Sequence, residues 1–118
     1  MARPGDDRVR LRQIFTDALI AVGGTTSVRL GLKQRSLEGP VTLIAVGKAA
    51  QAMSQGACEV LGERISGGLI VTKPGHLHPG PLQERGLEAV VGGHPLPTEG
   101  SLQAGRRLIE LLQAGTGG

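Results

Sequence analysis

The run VTLIAV at residues 41–46 constrains this 118-residue chain more than any other stretch. It is short, β-rich and lacks the polar alternation of a half-solvated strand, so it suits a strand covered on both faces, as in a parallel sheet. GK follows at 47–48, then a helical stretch from about 49 to 61. GGLIVT at 67–72 reads as a second strand and LEAVV at 87–91 as a weaker third. Ahead of the first strand, residues 7–22 predict an amphipathic helix. Leu11, Ile14, Phe15, Ala18, Leu19 and Val22 form its apolar face, and arginines cover the other. GG at 23–24 is a helix stop, and 25–32 suits a short second helix. KQRSLEGP, KPGHLHPGP and GGHPLPTEG read as loops. Thr98 or Ser101 caps a last helix through about Gln113, with Leu102, Leu108, Ile109 and Leu112 as its buried side, and AGTGG reads as a flexible end. Strands alternating with helices predict an α/β fold: a parallel-sheet layer with flanking helices, Rossmann-like in outline.

Composition limits the core and the partners. Phe15 is the only aromatic residue, so the interior is built from Leu, Val, Ile and Ala, and a stand-alone fold of this size is marginal. The net charge is +3, and the 13 basic residues comprise three lysines and ten arginines. Arg8, Arg10 and Arg12 cluster, yet there is no basic stripe and no set of aromatic stacking groups, so nucleic-acid binding is not expected. Cys58 is alone and fits a reducing compartment. The first residues lack the apolar run of a signal peptide, and no stretch reaches the ~20 apolar residues of a membrane span. The expectation is a cytoplasmic protein with no membrane partner.

The segment IAVGKAAQAM resembles a phosphate-binding P-loop only superficially. The first glycine of that motif falls on Thr42 and its metal-binding hydroxyl on Ala49, so cradle and ligand are both missing. Lys48 still needs a reason. A cation at a helix N-terminus is mildly unfavourable unless an anion binds there, when backbone N–H groups and ammonium act together; a solvated lysine outside the first turn is the plainer alternative. The lysines Lys48 and Lys73 each follow a predicted strand, and His94 lies just beyond the third. Ligands of parallel sheets bind at the carboxyl ends of the strands, so Lys48, Lys73, His76 and His94 are expected on one edge, with Gly47, Gly75 and Gly93 admitting a ligand close to the backbone. Such an edge suits a small acid or a phosphate. His76 and His78 are only a pair, so no protein-held metal is expected. Cys58 reads as a buried, inert thiol and Met53 as core packing. There is no Ser-His-Asp set, no carboxylate pair and no GxGxxG after the first strand.

Taken together, VGKAAQAM, GGLIVTKPGH and GGHPLPTEGSLQAGRRLIELL resemble the start of the glycerate 2-kinase family, also described as MOFRL-type or hydroxypyruvate reductase. LRQIFTDAL is similar to that family's first helix. The resemblance runs from about Leu11 to Leu112. It implies an ATP-dependent kinase that phosphorylates D-glycerate with Mg2+, in a two-domain α/β fold with its active site in the cleft. The family's active-site lysine falls on Lys48, beside Gly47, and the histidine of its Gly-His-Pro segment on His94. Its Thr-Lys-aromatic-Gly-His segment falls on Thr72 to His76, with Pro74 in place of the aromatic. The resemblance therefore assigns Lys48 a catalytic role and Gly47, Lys73, His76 and His94 to the substrate. It also implies a Ser-Gly-Gly-Gly-Ser loop, a second domain and acidic Mg2+ ligands that the chain does not contain. The expectation is an N-terminal piece of a larger two-domain fold, inactive or nearly so alone, whose exposed edges favour self-association. Hydroxypyruvate reductase and a non-enzymatic small anion-binding module are the alternatives.

Overall fold

The computed structural model describes residues 4–78 and 85–115. Its elements are α1 (Pro4–Ala21), α2 (Gly24–Lys33), β1 (Val41–Val46), α3 (Ala50–Leu61), a single 3-10 turn (Gly62–Arg64), β2 (Ile65–Thr72), β3 (Leu87–Val91) and α4 (Glu99–Gly115). The three strands form one parallel sheet in the order β1-β2-β3. The α/β fold is as the alternation of strands and helices predicts.

The register explains why the strands are apolar on both sides. Leu43, Gly68 and Leu87 align across the sheet, as do Ala45, Ile70 and Ala89, and these rows share one face. Ile44, Leu69 and Glu88 form a row on the other face, next to Val46, Val71 and Val90. Central Leu69 and Ile70 point to opposite faces and both have 0% exposure. On the first face, Ala50, Cys58 and Leu61 of α3 close over Ile65, Ile70 and Leu87, with Leu32, Val41, Leu43 and Ala45 against them. Helix α2 lies on α3 at backbone contact: a Cβ at Gly56 would stand 2.3 Å from the Thr25 carbonyl oxygen. Thr25 Oγ1 donates to the Ala52 carbonyl at 2.8 Å. Helix α4 covers the second face through buried Ala104 and through Arg107, whose Nε and Nη2 donate to Glu88 at 2.6 and 2.5 Å.

Several boundaries differ from the sequence expectation. Strand β2 begins at Ile65, two residues before the glycine pair, because a bulge after Val41 shifts the register and Ser66 Oγ donates to the Val41 carbonyl. The predicted buried side of α4 is corrected. Leu102, Ile109 and Leu112 are 56%, 56% and 54% exposed, and only Leu108 is half-buried. The stripe turned toward the strand ends is Ser101, Ala104, Gly105 and Leu108 at i, i+3, i+4 and i+7, with Ala104 buried. Helix α1 forms, but every residue from Gly5 to Ala21 is exposed, so its apolar stripe has no layer to close on. The molecule is correspondingly long, with extents of 67 × 37 × 21 Å. Met53 is also corrected from core to exposed. Ala114 and Gly115 of the expected flexible end continue α4. Residues 116–118, and residues 79–81 of the second predicted loop, lie outside the described residues.

Candidate functional site at the carboxyl edge of the sheet

Strands β1 and β3 leave the sheet at glycines that allow a sharp change of direction. Gly47 follows β1 at φ +123°, a conformation that favours glycine, while its N–H still donates to the Val71 carbonyl at 2.9 Å. Its carbonyl then accepts from Ala50 N–H at 3.2 Å, which starts α3 one residue beyond Ala49. Lys48 is thereby fixed on the turn between strand and helix, exposed and ahead of a helix end that has no side-chain cap. After β3, Gly92 N–H continues the ladder to the Thr72 carbonyl at 2.8 Å. Gly93 then turns so tightly that a Cβ there would lie 2.1 Å from the Leu96 carbonyl oxygen.

Ser101 organises this last turn. Its Oγ accepts from Gly93 N–H and from Thr98 N–H, both at 3.0 Å. The second bond is the backward half of a capping box, with Ser101 three residues beyond Thr98. The sequence reading gave Ser101 a capping role and missed its bond to the Gly-Gly-His turn. It also missed that Ala104, Gly105 and Leu108 form a wall of the same site. The i, i+3, i+4, i+7 spacing from Ser101 was the available signal.

The three strand ends and α4 enclose a cavity of ≈ 540 Å³. Gly47, Lys48, Lys73 and His94 line it, over a floor that includes Val46, Val71 and Leu108. Two lysines thus share a cavity with apolar walls, and no carboxylate is among the lining residues. Such a rim attracts an anion, and the low-dielectric floor strengthens the interaction. His76 is not a lining residue; its Nδ1 donates to the Lys48 carbonyl at 3.4 Å from the turn after β2. Gly75 makes that turn, at φ +82°, and likewise stands outside the lining.

The weaker candidates resolve simply. Among the described residues no three His, Cys, Asp or Glu side chains are grouped to hold a metal ion. Cys58 is 3% exposed; burial pushes its thiol up, against the opposing charge of Arg85, which donates to the Cys58 carbonyl at 3.1 Å. It is a packing residue, as expected. No helix among the described residues is long and apolar enough to cross a membrane.

Comparison with known proteins supplies the context. Residues 10–117 match the family described as Domain of unknown function (DUF4147). A D-glycerate 2-kinase of Thermotoga maritima is 39% identical over 100 residues, which is 85% of this chain and 23% of that enzyme. A crystal structure of a Thermotoga maritima glycerate kinase superposes with a TM-score of 0.75 at 34% identity, covering 92% of this chain and 25% of that one. The chain therefore spans about a quarter of the length of these relatives.

Proposed function

The chain belongs to the DUF4147 family, within the glycerate 2-kinases, and from that premise we propose that it builds part of a site that phosphorylates D-glycerate. The observation that carries this reading is the convergence of Lys48, Lys73 and His94 on one cavity at the carboxyl edge of the sheet. Phosphoryl transfer asks a protein mainly to position reactants and neutralise charge. Lys48, presented by the Gly47 turn, pairs with the glycerate carboxylate or a transferring phosphoryl oxygen. Lys73 adds a second cation, and His94 a donor or acceptor on the opposite rim. The backbone at Gly47 and Gly93 leaves room for a ligand to approach. His76 acts on the substrate only through the Lys48 turn it is bonded to.

The family's cofactors divide. The cationic rim fits an anion of the kind ATP presents, since ammonium groups over apolar surface hold phosphate. The described residues do not fit Mg2+, for they hold no group of three His, Cys, Asp or Glu side chains that could bind it. In this proposal residues 1–118 correspond to the N-terminal part of a larger two-domain kinase, cytoplasmic, with self-association through the exposed apolar stripe of α1. The matched relatives are described as kinases, which favours phosphoryl transfer over hydroxypyruvate reduction.

The test is binding and turnover by the 118-residue chain. D-glycerate is expected to bind, and Lys48→Ala to weaken binding about 10-fold or more, as loss of a charged hydrogen bond does. ATP-dependent turnover by this chain is expected to be negligible. Binding indifferent to Lys48 would overturn the assignment, and robust turnover would overturn the expectation that this chain is inactive alone.

A further inference from the structure

Lys48 and Lys73 stand on different loops, and the parallel ladder ties them only as far as the bond from Gly47 N–H to the Val71 carbonyl. Strand β1 ends at Val46 and β2 at Thr72, and each chain then departs in its own direction. Two side chains join these departures. Gln51, in the first turn of α3, donates from Nε2 to the His78 carbonyl at 2.8 Å and accepts from the His78 N–H at its Oε1 at 2.5 Å. A side-chain amide thus satisfies both backbone groups of one residue, as a neighbouring strand would. His76 adds its bond to the Lys48 carbonyl, which requires a proton on Nδ1 because a carbonyl only accepts. His76 N–H also donates to the Lys73 carbonyl at 3.2 Å, so the segment from Lys73 to His78 is closed at both ends.

We propose that Gln51 is a positioning residue: by clamping the His78 backbone to α3 it holds the Lys73 loop on the Lys48 turn, so that both ammonium groups meet one carboxylate or phosphate. The inference rests on the reading of that edge as the D-glycerate site, and it adds a residue that lines no part of the cavity. Gln51 needs no contact with substrate. Its effect is on the spacing of two cations, which sets how much of the second attraction an anion gains once the first is made.

The experiment compares the 118-residue chain with its Gln51→Ala and Gln51→Glu variants by amide hydrogen exchange and by titration with D-glycerate. Glutamate keeps the acceptor for His78 N–H and loses the donor to its carbonyl, so it separates the two bonds. Gln51→Ala is expected to lower protection of the His78 amide about 10-fold or more, leave the amides of β2 unchanged, and weaken D-glycerate binding several-fold. Gln51→Glu should keep most of the His78 protection and fall between the two in affinity. A merely structural role would lower β2 protection in parallel, which overturns the proposal. So does unchanged His78 protection in Gln51→Ala, or unchanged affinity where Lys48→Ala weakens binding. If the parent chain binds no D-glycerate, the substrate reading and the shared anion fall together, while exchange at His78 still decides whether Gln51 ties the loops.

Discussion

Single residues at the strand ends carry more of this site than their chemistry suggests. At Gly47, φ of +123° means that Gly47→Ala must bend the turn that presents Lys48. Strain of this kind costs about 1–3 kcal/mol, and urea denaturation is expected to show a lower midpoint with an unchanged slope. Ser101→Ala removes the acceptor of two backbone N–H groups at once. The part-buried Gly93 N–H is then left without its partner, and a loss of about 1–3 kcal/mol is expected. A nearly unchanged midpoint would show that water replaces the hydroxyl. The sequence made Gly47, Lys48, Lys73 and His94 visible because each lies within three residues of the end of an apolar run, where a parallel sheet exposes its carboxyl edge. Ser101 as the brace of the Gly93 turn was not legible. Helix capping explained it fully within its own segment, and the bond to Gly93 reaches back eight positions, across a loop whose path no local rule predicts.

At the scale of elements, the helices differ in how firmly they are held. Helix α2 touches α3 backbone to backbone at Gly56, so Gly56→Ala must push the two helices apart and is expected to cost about 1–3 kcal/mol, read from the same denaturation curves. Helix α1 has no buried residue among Gly5–Ala21. Its amides are expected to exchange near the rate of an open chain while those of β2 stay protected, because local opening follows the density of buried contacts. Helix α4 is tied to β3 at its charged side. The hydrogen bond from Arg107, ahead of its charge, holds the Glu88 carboxyl below its ordinary value. A carboxylate depressed in the folded state contributes stability above its unfolded value and loses it as pH falls through the folded one. An NMR titration of Glu88 should therefore show a low midpoint that returns to the ordinary range in Arg107→Met, with a small, salt-sensitive change in stability. Element types were legible from period and length. The buried face of α4 was not, because both Leu102, Ile109 and Leu112 and the stripe from Ser101 fit a helical period, and only the width and position of the sheet choose between them.

For the whole molecule, a chain that spans about a quarter of its kinase relatives presents one cationic wall and no metal-holding group among its described residues. An assay of D-glycerate phosphorylation by this chain is expected to stay at background even where D-glycerate binds. Apolar periodicity, with strand runs separated by helical stretches, determined the α/β class and the parallel sheet; the expected cover on both faces holds for central β2, whereas edge strand β1 leaves Val46 67% exposed. The short motifs determined the family, and their position after each strand determined which residues meet at the edge. Tertiary structure alone decided that Ala104, Gly105 and Leu108 complete the cavity, that His76 turns to the Lys48 carbonyl and away from the lining, and that Gln51 clamps His78. It also decided that the apolar stripe of α1 stays exposed. The physical reason is range. Periodicity and capping are set by neighbours within a turn or two of chain, whereas these contacts depend on where loops and layers of distant sequence come to rest.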